Sequence, residues 1–495
     1  MKQESWISQY IGVRFQATVV IVFCLSFLVS CKSPNSNNNA PPHYTKQAYT
    51  GVNIVNVEKL EVEKDMTILI DNGIITEIVN NDRFNADDQT EIIDATGKWA
   101  LPGLIDMHAH VTVLPIDSNF RVVEKFDRNA SEESLKTMLA FGITTVRNPA
   151  APTDDGVLLK DLVEKDSIIS PTIFTTGFAL NRTKAFFGPF AATPNENEIR
   201  SEIQDQVDKG VDFIKVYASL KPDQIKIAID EAHQHEIDVI GHLQNTSWTE
   251  ASELGIDFIT HAAPWHKEYL PEELRHDYRP TFLGRIFWLE HVDYDDQPIQ
   301  DMIASLVKNN VSIDPTLIAF HTKFWGDDDR YVATPSLELA PALVTNIWKS
   351  TTFTDGWSKE DYERSRGQWG KLAELTKRMH DSGVLITTGS DYPNPWVIPG
   401  LSLHQEMHLM LACGISPIEV IRIATLNGAK ALGIDDQIGS ISEGKQADIL
   451  FVNSSPIIDI KNTMDVFMVI NDGKRYEPTK LNQNMQQFLE RIQNN

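Results

Sequence analysis

The stretch Leu101-Pro102-Gly103-Leu104-Ile105-Asp106-Met107-His108-Ala109-His110-Val111 carries an apolar run into two histidines one residue apart. If the run is a β-strand, side chains alternate between faces, so His108 and His110 point the same way and can grip one metal ion. Spacing alone does not establish this. With 14 histidines in 495 residues, a His-x-His arises by chance about 0.4 times. The chain holds a second example, His233-Gln234-His235, after Lys221-Pro222-Asp223 and a helical pattern of Ile225, Ile227, Ile229 and Ala232. Neighbours two apart on a helix point to nearly opposite sides, so that pair cannot share an ion and reads as a solvated face. Local structure separates the two pairs.

Towards the amino terminus the chain changes character. Lys2 and Arg14 precede an apolar stretch from Ala17 to Val29, too short for a comfortable membrane span, which ends Leu28-Val29-Ser30-Cys31. Residues 1–30 resemble a bacterial lipoprotein signal peptide. That resemblance implies cleavage before Cys31, lipidation of its thiol, and anchoring in the bacterial cell envelope, facing the periplasm or the cell surface. An ordinary signal peptide or an uncleaved anchor is the alternative. Residues 31–47 are polar, proline-bearing and aperiodic, as expected of a disordered tether. With Cys24 in the signal and Cys31 lipidated, Cys413 has no intrachain partner, which excludes a disulfide scaffold. The balance of 44 basic against 69 acidic residues, a net charge of -25, argues against nucleic acid and against docking on anionic lipid. Membrane contact is expected through the lipid anchor only.

Towards the carboxyl terminus the pattern alternates short apolar strands with amphipathic helices such as Gln224 to His233 and Trp248 to Leu254. Eight strands end near His110, Arg147, Thr176, Tyr217, His242, His261, Pro315 and Asp391. Eight is the count of an α/β (β/α)8 TIM barrel, whose active site lies at the carboxyl ends of its strands. Residues 262–310 and 317–383 are too long for simple crossovers and are expected to form aromatic-rich helical insertions over that face. Hairpin signals bracket the chain: Asp71-Asn72-Gly73 near the start and Asn471-Asp472-Gly473 near the end, each between apolar runs.

Polar residues recur where the strands should end: Lys215 and Tyr217, His242, His261, and Asp391. Singly, such a histidine is usually just hydrogen-bonded and such an aspartate a helix cap. With His108 and His110 they make a metal-ligand set of four imidazoles and a carboxylate. An ammonium at Lys215 beside divalent ions would be costly. A neutral amine that adds carbon dioxide becomes an anionic carbamate able to bridge two metals, against the plainer readings of a snorkelling or Schiff-base lysine.

The order Pro-Gly-Leu-Ile-Asp-Met-His-Ala-His, then Lys215, His242, His261 and Thr388-Gly389-Ser390-Asp391, resembles the amidohydrolase superfamily. The stretch from Asp436 to Leu450 is similar to that family's return into a β-sandwich. The resemblance covers roughly residues 50 to 478 and implies a small β-sandwich built from both chain ends, 48–100 and 436–480, around a barrel at 101–435, with a tail at 481–495. It implies two divalent metal ions, Zn2+ first among them. His108 and His110 would hold one ion with Asp391, His242 and His261 the other, with N6-carboxylated Lys215 and a hydroxide bridging them. Asp391 would be the catalytic proton carrier in hydrolysis of a C-N bond of a small molecule. The strand-five histidine is followed by Leu243, Gln244 and Asn245 rather than the His-x-x-Glu of deaminases. Phe213 to Ser219 and Gly414 to Ala429 resemble the imidazolonepropionase and prolidase-related group, many of which cleave dipeptides or N-acyl amino acids. Strand two reads Arg147-Asn148 where relatives often have Arg-Asp. Arg147 is read as paired with a neighbouring acid rather than with substrate.

Tyr217, on the face of Lys215, is a candidate substrate contact, with plain lid packing as the alternative. The loops Phe186 to Phe190 and Pro393 to Pro399 are where specificity is expected to lie. Competing readings are an ester hydrolase of lactonase or phosphotriesterase type on the same residues, and a non-catalytic lipid-anchored binding protein. His404-Gln405-Glu406-Met407-His408 invites a zincin reading, but its glutamate follows the first histidine by two residues, not one, and the segment is expected to pack behind the barrel. A homo-oligomer is compatible with the sequence.

Overall fold

The structure is a computed structural model and describes residues 46–117, 121–122, 125–183 and 188–494. The expected signal peptide, Cys31, the tether up to residue 45 and Phe186 lie outside the described residues. Among the described residues no helix is long and apolar enough to cross a membrane.

The strands run β1 (Lys46–Asn56), β2 (Glu61–Asp71), β3 (Ile74–Asn80), β4 (Thr90–Asp94), β5 (Trp99–Pro102), β6 (Leu104–Asp106) and β7 (Ile143–Asn148). Then follow β8 (Thr172–Thr175), β9 (Ala179–Asn181), β10 (Phe190–Ala192), β11 (Phe213–Val216), β12 (Asp238–Gly241) and β13 (Phe258–Thr260). The last are β14 (Ser312–Asp314), β15 (Leu385–Ile386), β16 (Ile449–Val452), β17 (Val466–Asn471) and β18 (Lys474–Tyr476).

Strands from both chain ends share one sheet, in the order β18-β17-β16-β5-β1-β2-β3, with β4 also on β1. Hydrogen bonding runs unbroken through this sheet, where two separate sheets were expected. The reason lies in β1, whose register shifts between Tyr49 and Val52 around Gly51. Its first half pairs with β4 and its second with β5. A bulge of this kind bends a strand and raises its twist, so one sheet can wrap its own core. That core includes Tyr49, Ile68, Ile449, Phe451 and Ile470. Both expected hairpins form. Asn72 and Gly73 have φ 51 and 81, and Asp472 and Gly473 have φ 51 and 69, the two positive values that a type I′ turn demands. The two turns abut, and Ala447 ties them by donating to Gly73 O (2.7 Å) and accepting from Gly473 N (3.1 Å).

In the middle of the chain, strands β6 to β15 pair in parallel, with helices between most of them. Strands β6, β7 and β8 form one sheet, and β11 to β15 belong to a second with β9 and β10. The two sheets touch twice. An isolated parallel bridge links Thr176 to Phe213. On the far side Met107 N donates to Thr388 O and Thr388 Oγ1 to Ile105 O, both at 2.9 Å. Helix Trp248–Leu254 falls where its pattern placed it, and helix Pro222–Gln234 carries His233 exposed, bonded to Asp257 at 2.9 Å.

Three boundaries differ from expectation. Strand β6 stops at Asp106 and β15 at Ile386, so His108, His110 and Asp391 lie in the loops that follow. The cause is Asp106, whose carboxylate accepts from His108 N, Ser390 N and Ser390 Oγ and so takes donors that a ladder would use. The expected tail instead forms helix Met485–Gln493, with Phe488 packed on Phe141 at 5.2 Å between ring centres. The two insertions are helical: the first holds Phe282–His291 and the crossover helix Gln297–Lys308, the second Leu317–Phe324, Ala342–Ser350, Lys359–Gly367 and Trp369–Asp381.

A Cβ on Gly473 would lie 2.3 Å from Gly73 Cα, whereas one on Gly97 (φ 77) meets nothing within 4 Å. Gly97→Ala should therefore cost about 1 kcal/mol from backbone strain alone, and Gly473→Ala about 2 to 4 kcal/mol. Urea denaturation of both variants checks this; equal losses would mean that the two turns do not support each other.

Candidate active site

The loops after β6 and β15 are stitched together by backbone. His110 N donates to Tyr392 O at 2.6 Å, Asp391 N to His108 O at 2.6 Å, and Ala109 N to Arg147 O at 3.0 Å. A Cβ at position 389 would lie 2.7 Å from that of His108, so Gly389 permits this approach. Asp391 and His261 hold φ of 60 and 81, and Thr316, a β-branched residue, 49. Such backbone persists only where its surroundings enforce it, and here it clusters at one place.

There the side chains converge. Asp391 Oδ1 lies 3.4 Å from His108 Nε2 and 3.6 Å from His110 Nε2. These three offer ligand atoms within 4.8 Å of one another, a group that could hold a metal ion. His261 Nε2 faces His242 Nδ1 at 2.7 Å, and its Nδ1 bonds Thr316 Oγ1 at 2.9 Å. The rings of His108 and His261 are 5.2 Å apart, so the two groups adjoin. Lys215 reaches in from β11, buried, with Nζ 3.5 Å from Thr260 Oγ1. The sequence-derived residues His108, His110, Lys215, His242, His261 and Asp391 thus meet at one place.

Protonation suits ligands. Burial pushes His108, His242 and His261 well below the usual imidazole range, leaving lone pairs free. Burial works against charge on Asp391, yet the facing His108, His110 and Lys323 hold its carboxyl down to about 2. Burial lowers Lys215 to about 7 against the opposing pull of Asp314 and Asp391. Neutral imidazoles, a carboxylate and a lysine within reach of its neutral form are a donor set that fits divalent ions.

Behind this set lies Asp314, which the sequence reading passed over. Its Oδ1 accepts from His108 Nδ1 at 2.7 Å, and its Oδ2 pairs with Arg147 Nη2 at 2.9 Å. Arg147 also donates from Nε to Met107 O at 2.8 Å and lies over the rings of Phe213 and Phe258. Pairing of Arg147 with a neighbouring acid is therefore the arrangement found. The available signal was an acid before Pro315, at the end of an apolar strand. Asn148 bonds Thr112 and Thr175 through Nδ2, at 3.0 and 3.1 Å.

The cluster opens into a cavity of about 550 Å³. Tyr217 forms part of its wall, with ring centres 4.4 Å from His242 and 4.5 Å from Phe190. Pro393, Asn394 and Pro395 line it from the loop after β15, Gly188 and Pro189 from the loop before β10, and Phe190 from the start of that strand. Asp391 is the one carboxylate among the described residues of the lining. Arg285 and Lys323, which drew no notice in sequence, also face it. The zincin-like segment lies elsewhere: His404 bonds Thr463 Oγ1 and Phe141 O, both at 2.8 Å, and Glu406 accepts from the amides of Leu317 and Ile318. Cys413 is buried and free of disulfides.

Replacing Asp314 by Asn should leave Arg147 buried without its counter-charge. The chelator-treated Asp314→Asn variant is expected to lose about 3 to 5 kcal/mol in chemical denaturation; a loss no larger than that of an exposed pair would show that the buried pair is not what holds these strand ends.

Residues 99–316 and 345–476 match the Amidohydrolase family. Among curated proteins, adenine deaminase 4 of Rhizobium meliloti is 53% identical over 51 residues, 10% of this chain and only 8% of that protein's length. Imidazolonepropionase of Staphylococcus aureus is 24% identical across 80% of this chain and 84% of its own length. Among solved structures, a Xaa-Pro dipeptidase with methionine bound in its active site superposes with a TM-score of 0.64 at 20% identity, covering 87% of this chain and 100% of that one. That likeness concerns the fold. The two matched segments span most of the chain and contain all six converging residues, and the chain belongs to the amidohydrolase family.

Proposed function

We propose that this protein hydrolyses a C-N bond, amide or peptide-like, in a small molecule, with two zinc ions held at the converging cluster in a (β/α)8 barrel. The observation that carries the reading is the approach of His108, His110 and Asp391 ligand atoms within 4.8 Å, beside the His242–His261 pair. In this reading His108, His110 and Asp391 hold one ion and His242 and His261 the other. Lys215, as N6-carboxylysine, would add an anionic oxygen ligand, and its depressed pKa supports this because only the neutral amine adds carbon dioxide. Bound there, the ions supply an activated water and a Lewis acid for the scissile carbonyl.

The remaining work falls to the chain. Asp314 orients His108 by accepting from Nδ1, which leaves Nε2 as the ligand nitrogen. Asp391, ionised and facing the cavity, takes the proton of the attacking water and passes it to the leaving nitrogen. With no glutamate among the described lining residues, a separate proton shuttle of the deaminase kind has no candidate there. Tyr217 stays protonated, since burial pushes its hydroxyl up to about 12, and can donate a hydrogen bond to the developing oxyanion. The proposed setting is the bacterial cell envelope, through acylated Cys31.

Elemental analysis of purified protein is expected to find about two divalent ions per chain, falling sharply in Lys215→Ala; one ion per chain in both would sink the two-metal reading. Activity should be sought on a library of small amides with the zinc-loaded protein. Against a substrate so found, Tyr217→Phe should lower kcat by roughly tenfold to a hundredfold with little change in KM. Unchanged kcat would reduce Tyr217 to a packing residue.

A further inference from the structure

Two cations, Arg285 and Lys323, lie on the cavity wall. Arg285 sits on helix Phe282–His291 and Lys323 on helix Leu317–Phe324, so each insertion contributes one. The Arg285 guanidinium lies 4.8 Å from the centre of the Phe282 ring and 5.4 Å from that of Trp265. Lys323 Nζ lies 5.9 Å from the same Phe282 centre, 5.5 Å from Phe320 and 5.4 Å from Phe353. Two like charges thus share one aromatic ring, and Lys323 is only 7% exposed. Among the described residues neither has a carboxylate within ion-pair distance. Arg364 and Arg378 of the second insertion are paired, with Glu290 at 2.9 Å and Asp295 at 2.8 Å, while Arg275 and Arg279 of the first donate to backbone carbonyls.

This arrangement is unfavourable when empty. Aromatic faces attract cations but accept no strong hydrogen bonds, and among the described residues no side chain or carbonyl accepts from the charged ends of either group. Burial lowers Lys323 to about 8; Asp391 pulls against it, and Arg285 adds a smaller repulsion. Arg285 is itself lowered by burial. Asp391 is already engaged by His108 and His110, and bound divalent ions would add further positive charge. A planar anion between Arg285 and Lys323 would satisfy donors on both and cancel the repulsion. Besides the ligand cluster and a few polar groups such as Thr281 and Thr351, much of the remaining wall is apolar. Trp348 spends its Nε1 hydrogen on Pro393 O at 2.9 Å, and its ring joins Phe320 and Phe353 in lining the cavity. A volume near 550 Å³ accommodates a molecule of dipeptide size.

We infer that Arg285 and Lys323 together form a carboxylate-binding subsite, so that the substrate is an anionic amide whose body is apolar or aromatic. This rests on the hydrolase reading above for the word substrate; the subsite itself is a claim about binding and can be tested without turnover. The carboxylate would sit on the wall built by the two insertions, with the scissile bond of the same molecule presented to the cluster.

The test is calorimetric binding of phenylacetate and of its neutral isostere phenylacetone to zinc-loaded protein, wild type, Arg285→Met and Lys323→Met. The acid should bind wild type about tenfold or more tighter than the ketone, and each variant should lose most of that preference while still binding the ketone. Arg285→Lys should retain part of it. Equal binding of the two probes by wild type would overturn the subsite, because the cations would then be adequately solvated as they stand. So would a preference that survives in both variants, which would place the carboxylate on the ions. If the probes discriminate as expected and no amide is turned over, the subsite stands and the hydrolase reading fails. If amides are turned over without regard to their charge, the reverse holds.

Discussion

A single buried carboxylate, that of Asp314, holds the floor of the site to its working face. One oxygen answers the guanidinium of Arg147 and the other the imidazole of His108. Neither Asp314 nor Arg147 is tolerable alone in that interior, where an uncompensated charge costs several kcal/mol. Their bonds join the ends of β7 and β14 to the loop after β6, and Arg147 reaches across to Met107 O as well. Beneath them the rings of Phe213 and Phe258 take the guanidinium face, so the charge is sandwiched between apolar packing and a carboxylate. The direction in which His108 presents its free nitrogen is a consequence of that packing.

A second carboxylate, Asp106, performs the companion task in the backbone. By accepting from His108 N, Ser390 N and Ser390 Oγ it releases two strands from their ladder and turns their chains over the site. Asp391 reaches the histidines only because of this turn, and its left-handed backbone is the local cost. Around that rigid centre the insertions add a wall of different character, aromatic and cationic, with Asp391 as the only carboxylate of the described lining. Under the proposed function, chemistry would fall to the strand-end loops and selection of a ligand to the inserted helices.

Much of this was legible from residue patterns. The Asn-Gly and Asp-Gly turns demand two positive φ values and dictate hairpins wherever they fall between apolar runs. The helical period of Ile225, Ile229 and Ala232 puts His233-Gln234-His235 on an exposed helix, and Ser247 ahead of Glu250 starts the helix at Trp248 with a capping box. The six polar residues were visible because each lies within or shortly after an apolar run. Asp314 ends such a run as well, but one acid next to a proline looks like a turn. Asp106 sits among apolar residues with nothing to mark whose amides it serves. Arg285 and Lys323 lie on helices where a basic residue is ordinarily solvated, and neither their burial nor the lack of a partner can be read from their neighbours in sequence.

The chain by itself therefore determined which elements form and which residues offer ligand atoms, because periodicity, turn geometry and side-chain type act over a few neighbouring positions. The tertiary structure decided what those residues face. Whether an aspartate is a cap, a second-layer anchor or a proton carrier, and whether a lysine is solvated or stranded among rings, depends on groups up to about 280 positions away, as between Asp106 and Ser390. Burial and electrostatic pairing are properties of assembled surfaces, and no local pattern encodes them.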